Sequence, residues 1–228
     1  MNEKRYRIVY EDEWLIVVDK PAGMLVIPTP RGETNTLTDL LNRELDERGL
    51  GANAHPCHRI DRETSGLIIY AKGKKAQQLM MDEFRRRTVV KSYIAFVHGS
   101  PKKDFDTLRS FIYNRNKGRK EEAVTKYRVL EKRRGFTVLE AQPITGRTNQ
   151  IRIHLKEIGH PLVGESVYAF RKDFKLRFKR AALHAQGLEF THPVTKETLK
   201  LTSPLPEDME KFKKEEMNNE ERRQLFNP

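Results

Sequence analysis

The sequence predicts an α+β protein, and two observations carry that expectation. Short β-rich apolar runs, bounded by Gly, Pro or charged turns, recur from residue 6 to residue 201. A few helical patterns interrupt them without a regular strand–helix–strand alternation. The 228 residues are enough for one sizeable core or for two closely joined halves. We expect a single catalytic-sized domain over residues 1–206 and a highly charged helix or tail over 207–228.

The elements follow in order. Residues 6–10 and 14–18 read as a hairpin around Glu11-Asp12-Glu13, and Lys20-Pro21-Ala22-Gly23 then turns the chain. Residues 36–48 read as a helix with Leu37, Leu40, Leu41 and Leu45 on one face and Gly49 at its end. Residues 67–70 form a buried strand, and residues 74–87 a second helix with Leu79, Met80 and Phe84 as its apolar stripe. Residues 91–98 alternate as a strand. Residues 114–120 form a basic loop carrying Arg115, Lys117, Arg119 and Lys120, before strands at 123–130 and 136–141. Residues 150–158 suit a helix with Ile151, Leu155 and Ile158 on one face and Arg152 on another. Phe170, Phe174 and Phe178 are spaced by four with cations between; as a helix this segment would bury the rings on one side and show the cations on the other, as a packed amphipathic segment whose basic face could meet a polyanion. Residues 183–190 and 198–201 close a last hairpin around His192-Pro193-Val194-Thr195.

Charge narrows the partner. The net charge of +12 and a pI near 9.7 favour a polyanion. The one cysteine, Cys57, excludes an internal disulfide and fits a reducing cytoplasm. The first residues lack an apolar signal core, and no run approaches the ~18 apolar residues of a membrane span. His55, Cys57 and His58 match no zinc spacing, so no metal is expected. Neither GxxxxGK nor GxGxxG occurs, so no nucleotide cofactor is expected.

The chain is organised around His58-Arg59-Ile60-Asp61-Arg62-Glu63-Thr64-Ser65-Gly66, which runs straight into Leu67-Ile68-Ile69-Tyr70. Gly66, at the join, marks unusual dihedrals or a close backbone approach. Asp61 is therefore expected on a loop held by a core strand, a platform suited to chemistry. Arg59 and Arg62 beside it favour its charged form. From the residues alone, a surface loop with local salt bridges serves as well.

This stretch resembles the signature of the RluA-type pseudouridine synthases, which isomerise uridine in ribosomal or transfer RNA. Four further stretches fit the same family in order: Asp19-Lys20-Pro21-Ala22-Gly23-Met24, Lys91-Ser92-Tyr93-Ile94-Ala95, Gly146-Arg147-Thr148-Asn149-Gln150-Ile151-Arg152, and Ala182-Leu183-His184-Ala185. The resemblance implies a long, bent, mainly antiparallel sheet with flanking helices and a central cleft. It implies cofactor-free cleavage of the bond from base to ribose, rotation of the uracil and reattachment through carbon five. It makes Asp61 the catalytic carboxylate, Arg59 the residue that fills the gap left by the flipped base, and Tyr93 the ring stacked on that base. Arg152 becomes the partner of the aspartate, and Leu183 lines the base pocket.

Arg62, Arg147, Gln150 and the cations Arg115, Lys117, Arg119 and Lys120 are candidates for RNA contact. The pattern departs from the family at Asn149, where histidine is usual, and at Glu165, where aspartate is usual; no role is assigned to Glu165. The expected protein is a monomeric cytoplasmic RNA pseudouridine synthase acting on ribosomal or transfer RNA, with no separate RNA-binding domain before the first strand. Two other classes compete: a non-catalytic RNA-binding protein, and a glycosidase-like enzyme of small nucleosides that would release free base.

Overall fold

The computed structural model describes residues 5–115, 117–169 and 176–226, with side chains through residue 216. Among these the fold is α+β, with ten strands and four helices. The chain forms two compact units. Unit 1 comprises Met1–Lys91 and Ala185–Ser203, and unit 2 comprises Ser92–His184 and Pro204–Pro228.

In unit 1 the strand order is β1 (Arg7–Glu11), β2 (Leu15–Lys20), β4 (Ser65–Lys72) and β9 (Leu183–Thr191). β3 (Ala54–Pro56) also pairs with β4, and β10 (Thr198–Thr202) pairs with β9. The run at 67–70 is the fully buried strand expected, with Leu67, Ile68, Ile69 and Tyr70 all inaccessible. Leu15, Val17, Leu67, Ile69, Met80 and Phe190 meet in one apolar cluster beside it. Burying side chains of this size stabilises by about 1.5–3 kcal/mol each.

Helix α1 (Leu37–Glu47) starts where the sequence predicts, because Thr36 and Asp39 form a reciprocal capping box. Leu37, Leu41 and Leu45 are its buried face. Helix α2 (Lys74–Arg86) buries Ala76 and Met80; Phe84 is half-buried at the edge of the same cluster. Leu79 is half-buried too, but it stands outside that cluster.

In unit 2 the order is β5 (Val90–His98), β8 (Phe136–Pro143), β7 (Arg119–Arg133) and β6 (Phe105–Asn114), antiparallel throughout. Ile94, Phe96, Phe136 and Val138 build the core with Met209 and Phe212 from the start of α4 (Glu207–Phe226). Arg180 clamps that helix: its Nε and Nη2 donate to the Asp208 carboxylate at 2.7 and 2.9 Å. The charged C-terminal stretch is therefore helical, and its first turns belong to the unit-2 core.

Three sequence expectations change here. β6 was not foreseen, because both its faces mix apolar and polar residues and no clean alternation appears. The basic loop shrinks to the turn between Asn114 and Arg119, so Arg119 and Lys120 are strand residues paired with Asn114 and Tyr113. Of the predicted helix around Phe170, Phe174 and Phe178, residues 170–175 lie outside the described residues, and residues 176–180 are not helical.

Candidate active site

Asp61 lies in the connection between β3 and β4, two antiparallel strands that pair Pro56 with Tyr70 and Ala54 with Lys72. Such a connection brings its ends back to one place, so the stem fixes the loop. The Thr64 N–H donates to the Asp61 carbonyl at 3.1 Å, closing a tight turn. The next carbonyl, Arg62, accepts from the Gly23 N–H at 2.8 Å and from Lys20 Nζ at 3.2 Å. Lys20 is fully buried and its ammonium also donates to the carbonyls of Pro21 and Met24, at 2.9 and 2.8 Å. One cation thus ties the Lys20–Met24 turn to the Asp61 turn.

His58 anchors the other end. Its Nε2 accepts the Ile69 N–H at 3.1 Å and its ring lies against Phe84, centroids 5.2 Å apart. Desolvation, and then the nearby Lys91 charge, push its pKa down to about 3. A neutral acceptor is what the Ile69 N–H needs. Gly66 meets the expectation placed on it: φ is +113°, and a β-carbon there would overlap the backbone carbonyl of Ala185. Only glycine allows β4 and β9 to approach so closely.

Arg59 is exposed, free of the packing that holds its neighbours. Arg62 turns its guanidinium to Glu33 at 3.3 Å. Cys57 is buried, its thiol pushed up to about 12 by desolvation, so it is a packing residue. No three potential metal ligands stand together among the described residues.

In unit 2, Arg152 lies on α3 (Gln150–Glu157), not on an exposed face but 6% accessible. Its Nε and Nη2 donate to the two oxygens of Glu165 at 2.8 and 2.7 Å. Glu165 Oε1 also accepts backbone N–H groups of Ser166 and Val167 at 3.0 and 2.8 Å. Burial pushes the Glu165 pKa up, but the Arg152 hydrogen bond and charge and the backbone donors outweigh it and hold it low. The Arg152 guanidinium also sits 5.3 Å from the Tyr168 ring centroid.

Asn149 stands at the N-cap of α3 in the left-handed region, φ 56°. Its side chain donates to the Tyr168 hydroxyl at 2.7 Å, and its Oδ1 accepts from Arg152 at 3.4 Å. Sequence reasoning missed Glu165 and Tyr168. The available signal was Gly164: at φ +80° it has no room for a β-carbon against the Arg180 carbonyl, which marks a built turn.

Tyr93 is a buried residue of β5, opposite Ala141 of β8. Leu183 is buried at the start of β9, and its carbonyl accepts from Arg180 at 3.2 Å. Gln150 is corrected: it is 4% exposed, and its amide is spent on Thr145, Val124 and Thr125. It fastens α3 to β7 and has no donor left for RNA. His154 joins this network through the Thr125 hydroxyl at 2.9 Å. Arg147 is half-buried, paired with Glu121 at 2.9 Å and bonded to the Glu122 carbonyl. Lys117 pairs with the same Glu121 at 2.7 Å, whereas Arg115 and Lys120 are exposed.

A basic α+β protein with an aspartate on a turn whose backbone is fixed from several sides, and an arginine locked in place on a helix, has the makings of an enzyme acting on a polyanion. The comparisons say which. The family described as RNA pseudouridylate synthase matches residues 14–157, a span that includes Asp61, Tyr93 and Arg152. The chain is 41% identical over 213 residues to "Uncharacterized RNA pseudouridine synthase YlyB" of Bacillus subtilis, covering 89% of this chain and 70% of that one. It is 37% identical over 223 residues to "Ribosomal large subunit pseudouridine synthase D" of Zymomonas mobilis, covering 89% and 70%. Among solved structures, "Human RNA Pseudouridylate Synthase Domain Containing 4" superposes with a TM-score of 0.75 at 25% identity over 90% of both chains. The chain belongs to the RNA pseudouridylate synthase family, and it is an RNA pseudouridine synthase, an isomerase.

Proposed function

We propose that the protein converts specific uridines of a structured RNA to pseudouridine, with ribosomal RNA as the first candidate and transfer RNA as the second. The carrying observation is the Asp61 turn, fixed by Lys20, Gly23 and His58, which presents one carboxylate from a rigid stem. The relative from Zymomonas mobilis is named for the ribosomal large subunit, which supports the first candidate.

The reaction breaks the bond from N1 to ribose, turns the uracil and joins carbon five to the same ribose carbon. The C5 proton is lost and N1 gains one, so no water and no cofactor is consumed. Asp61 supplies the carboxylate at the sugar, where positive charge develops. Arg59, exposed beside it, fills the vacancy in the stack when the uridine is extruded. Tyr93 holds the flipped base by its face, Leu183 lines the pocket, and Arg152 orients the carboxylate. Arg62, Arg115, Lys117, Arg119, Lys120 and Arg147 meet phosphates. The protein acts as a cytoplasmic monomer. No described helix is long and apolar enough to cross a membrane.

Mapping pseudouridine in total RNA from cells with and without the gene tests this reading. Sites lost with the gene and restored by wild-type protein but not by Asp61→Asn support it. An unchanged map contradicts it.

A further inference from the structure

The β6–β7 hairpin has two unlike faces. On the inner face Ile112, Ala123, Thr125 and Tyr127 are buried, and Gln150 and His154 of α3 bond to Thr125 there. The outer face carries Phe105, Arg109, Phe111 and Tyr113 at alternate positions of β6. These rings are open to solvent: Phe105 is 77% exposed, Phe111 68% and Tyr113 56%. A solvent face of a sheet is normally polar, and bare rings on an edge strand invite association.

The cross-strand register sets cations among the rings. Tyr113 lies opposite Lys120, Phe111 opposite Glu122, Thr107 opposite Lys126, and Phe105 opposite Arg128. Directly opposed residues share a face. Arg128 is neutralised by Glu140 and Arg109 by Glu122. Lys120 and Lys126 have no ion pair among the described residues, so the face keeps a positive excess.

Aromatic rings interleaved with cations fit nucleic acid, and the spacing selects its form. Alternate strand residues repeat every ~6.7 Å, about twice the 3.4 Å rise of stacked bases. Neighbouring rings therefore suit bases splayed apart, as in single-stranded RNA, where each base offers a face. A duplex hides those faces.

We propose that this outer face is a further RNA-docking surface, sharing Lys120 with the phosphate contacts proposed above, on which Phe111 and Tyr113 stack unpaired bases while Lys120 and Lys126 meet the phosphates. The proposal rests on the reading that the substrate is RNA.

The test uses the full chain, a labelled 12-nucleotide oligouridylate and a blunt 12-base-pair RNA duplex, with affinity read by anisotropy over a salt series. Because the rings are exposed, Phe111→Ala/Tyr113→Ala keeps its fold, which a thermal melt verifies. That variant is expected to lose about tenfold in affinity for the oligouridylate. Its duplex affinity should change less than twofold and its salt slope should stay. Lys120→Ala/Lys126→Ala should weaken both ligands and lower the slope by about two. Oligouridylate affinity unchanged by loss of the rings overturns the proposal, as does an equal loss on both ligands. A wild-type dimer in sedimentation that the ring variant dissociates overturns it as well, because the face then serves a second copy of the chain. Pseudouridine formation by the wild type is measured in parallel. Ring-dependent binding without isomerisation fails the catalytic reading alone, and isomerisation with ring-independent binding fails the docking surface alone.

Discussion

Arg152 and Glu165 form a buried two-pronged ion pair, at 2.8 and 2.7 Å, with side chains 7% and 1% accessible. Two charges taken from water need such geometry, and the backbone donors at Glu165 complete it. Removing the Glu165 charge takes away the carboxylate that both guanidinium donors of a buried Arg152 face. Glu165→Gln should destabilise unit 2 by about 3–5 kcal/mol, read as a fall in the urea midpoint. Glu165→Asp keeps the charge and should cost less than half as much. Equal midpoints for Gln and wild type would contradict the pairing.

Lys20 is the second buried cation with a positioning task. Its three carbonyl partners include Arg62, the residue after Asp61. Lys20→Met keeps the volume but leaves three acceptors short, at about 1–3 kcal/mol for a buried group left unsatisfied. Turnover should fall while RNA affinity stays, and amide exchange should speed up at Thr64, whose N–H closes the Asp61 turn. Unchanged exchange there would show that Lys20 does not hold the turn.

Two glycines separate space from strain. Gly66→Ala would drive a β-carbon into the Ala185 backbone, whereas at Gly23 nothing lies within 4 Å. Gly23→Ala should cost only the ~1–2 kcal/mol of a left-handed residue with a side chain. Gly66→Ala should cost more, to the point of poor recovery of folded protein. Similar melts for the two variants would be against the close approach of β4 and β9.

Histidines set the acid limit. The pKa values of His58 and His98 are pushed down to about 3 and about 4, by desolvation first and by nearby cations second. The folded values lie below the ordinary value, so the unfolded chain binds protons first as pH falls. Stability is full above about pH 6.5 and is lost as pH drops below it, by up to about 2 kcal/mol per ring at pH 5. Urea titrations at pH 7.5, 6 and 5 check this. His58→Gln, which keeps an acceptor for Ile69, should flatten part of the decline, and a decline starting only below pH 4.5 would assign it to carboxylates.

Much of unit 1 was legible because its signals are local. The 67–70 run, the Thr36 cap and the Gly66 join each follow from neighbouring residues. The ion pair of Glu165 with Arg152 was not legible, since the two lie 13 residues apart and Glu165 stands beyond the end of the helix that carries Arg152. Gln150 reads as an exposed polar residue until the fold supplies Thr145, Val124 and Thr125. β6 escaped notice because Phe105, Phe111 and Tyr113 stand on its exposed face, so apolar and polar residues do not separate between its two faces.

The account turns on Asp61. Its most direct test is release of C5 tritium from substrate RNA labelled at uridine, under single turnover with enzyme in excess, for wild type and Asp61→Asn. The account predicts no release above background in the variant, with RNA affinity within a few-fold of wild type, because affinity is spread over many cations. Tritium release by Asp61→Asn at a rate near that of wild type would contradict it.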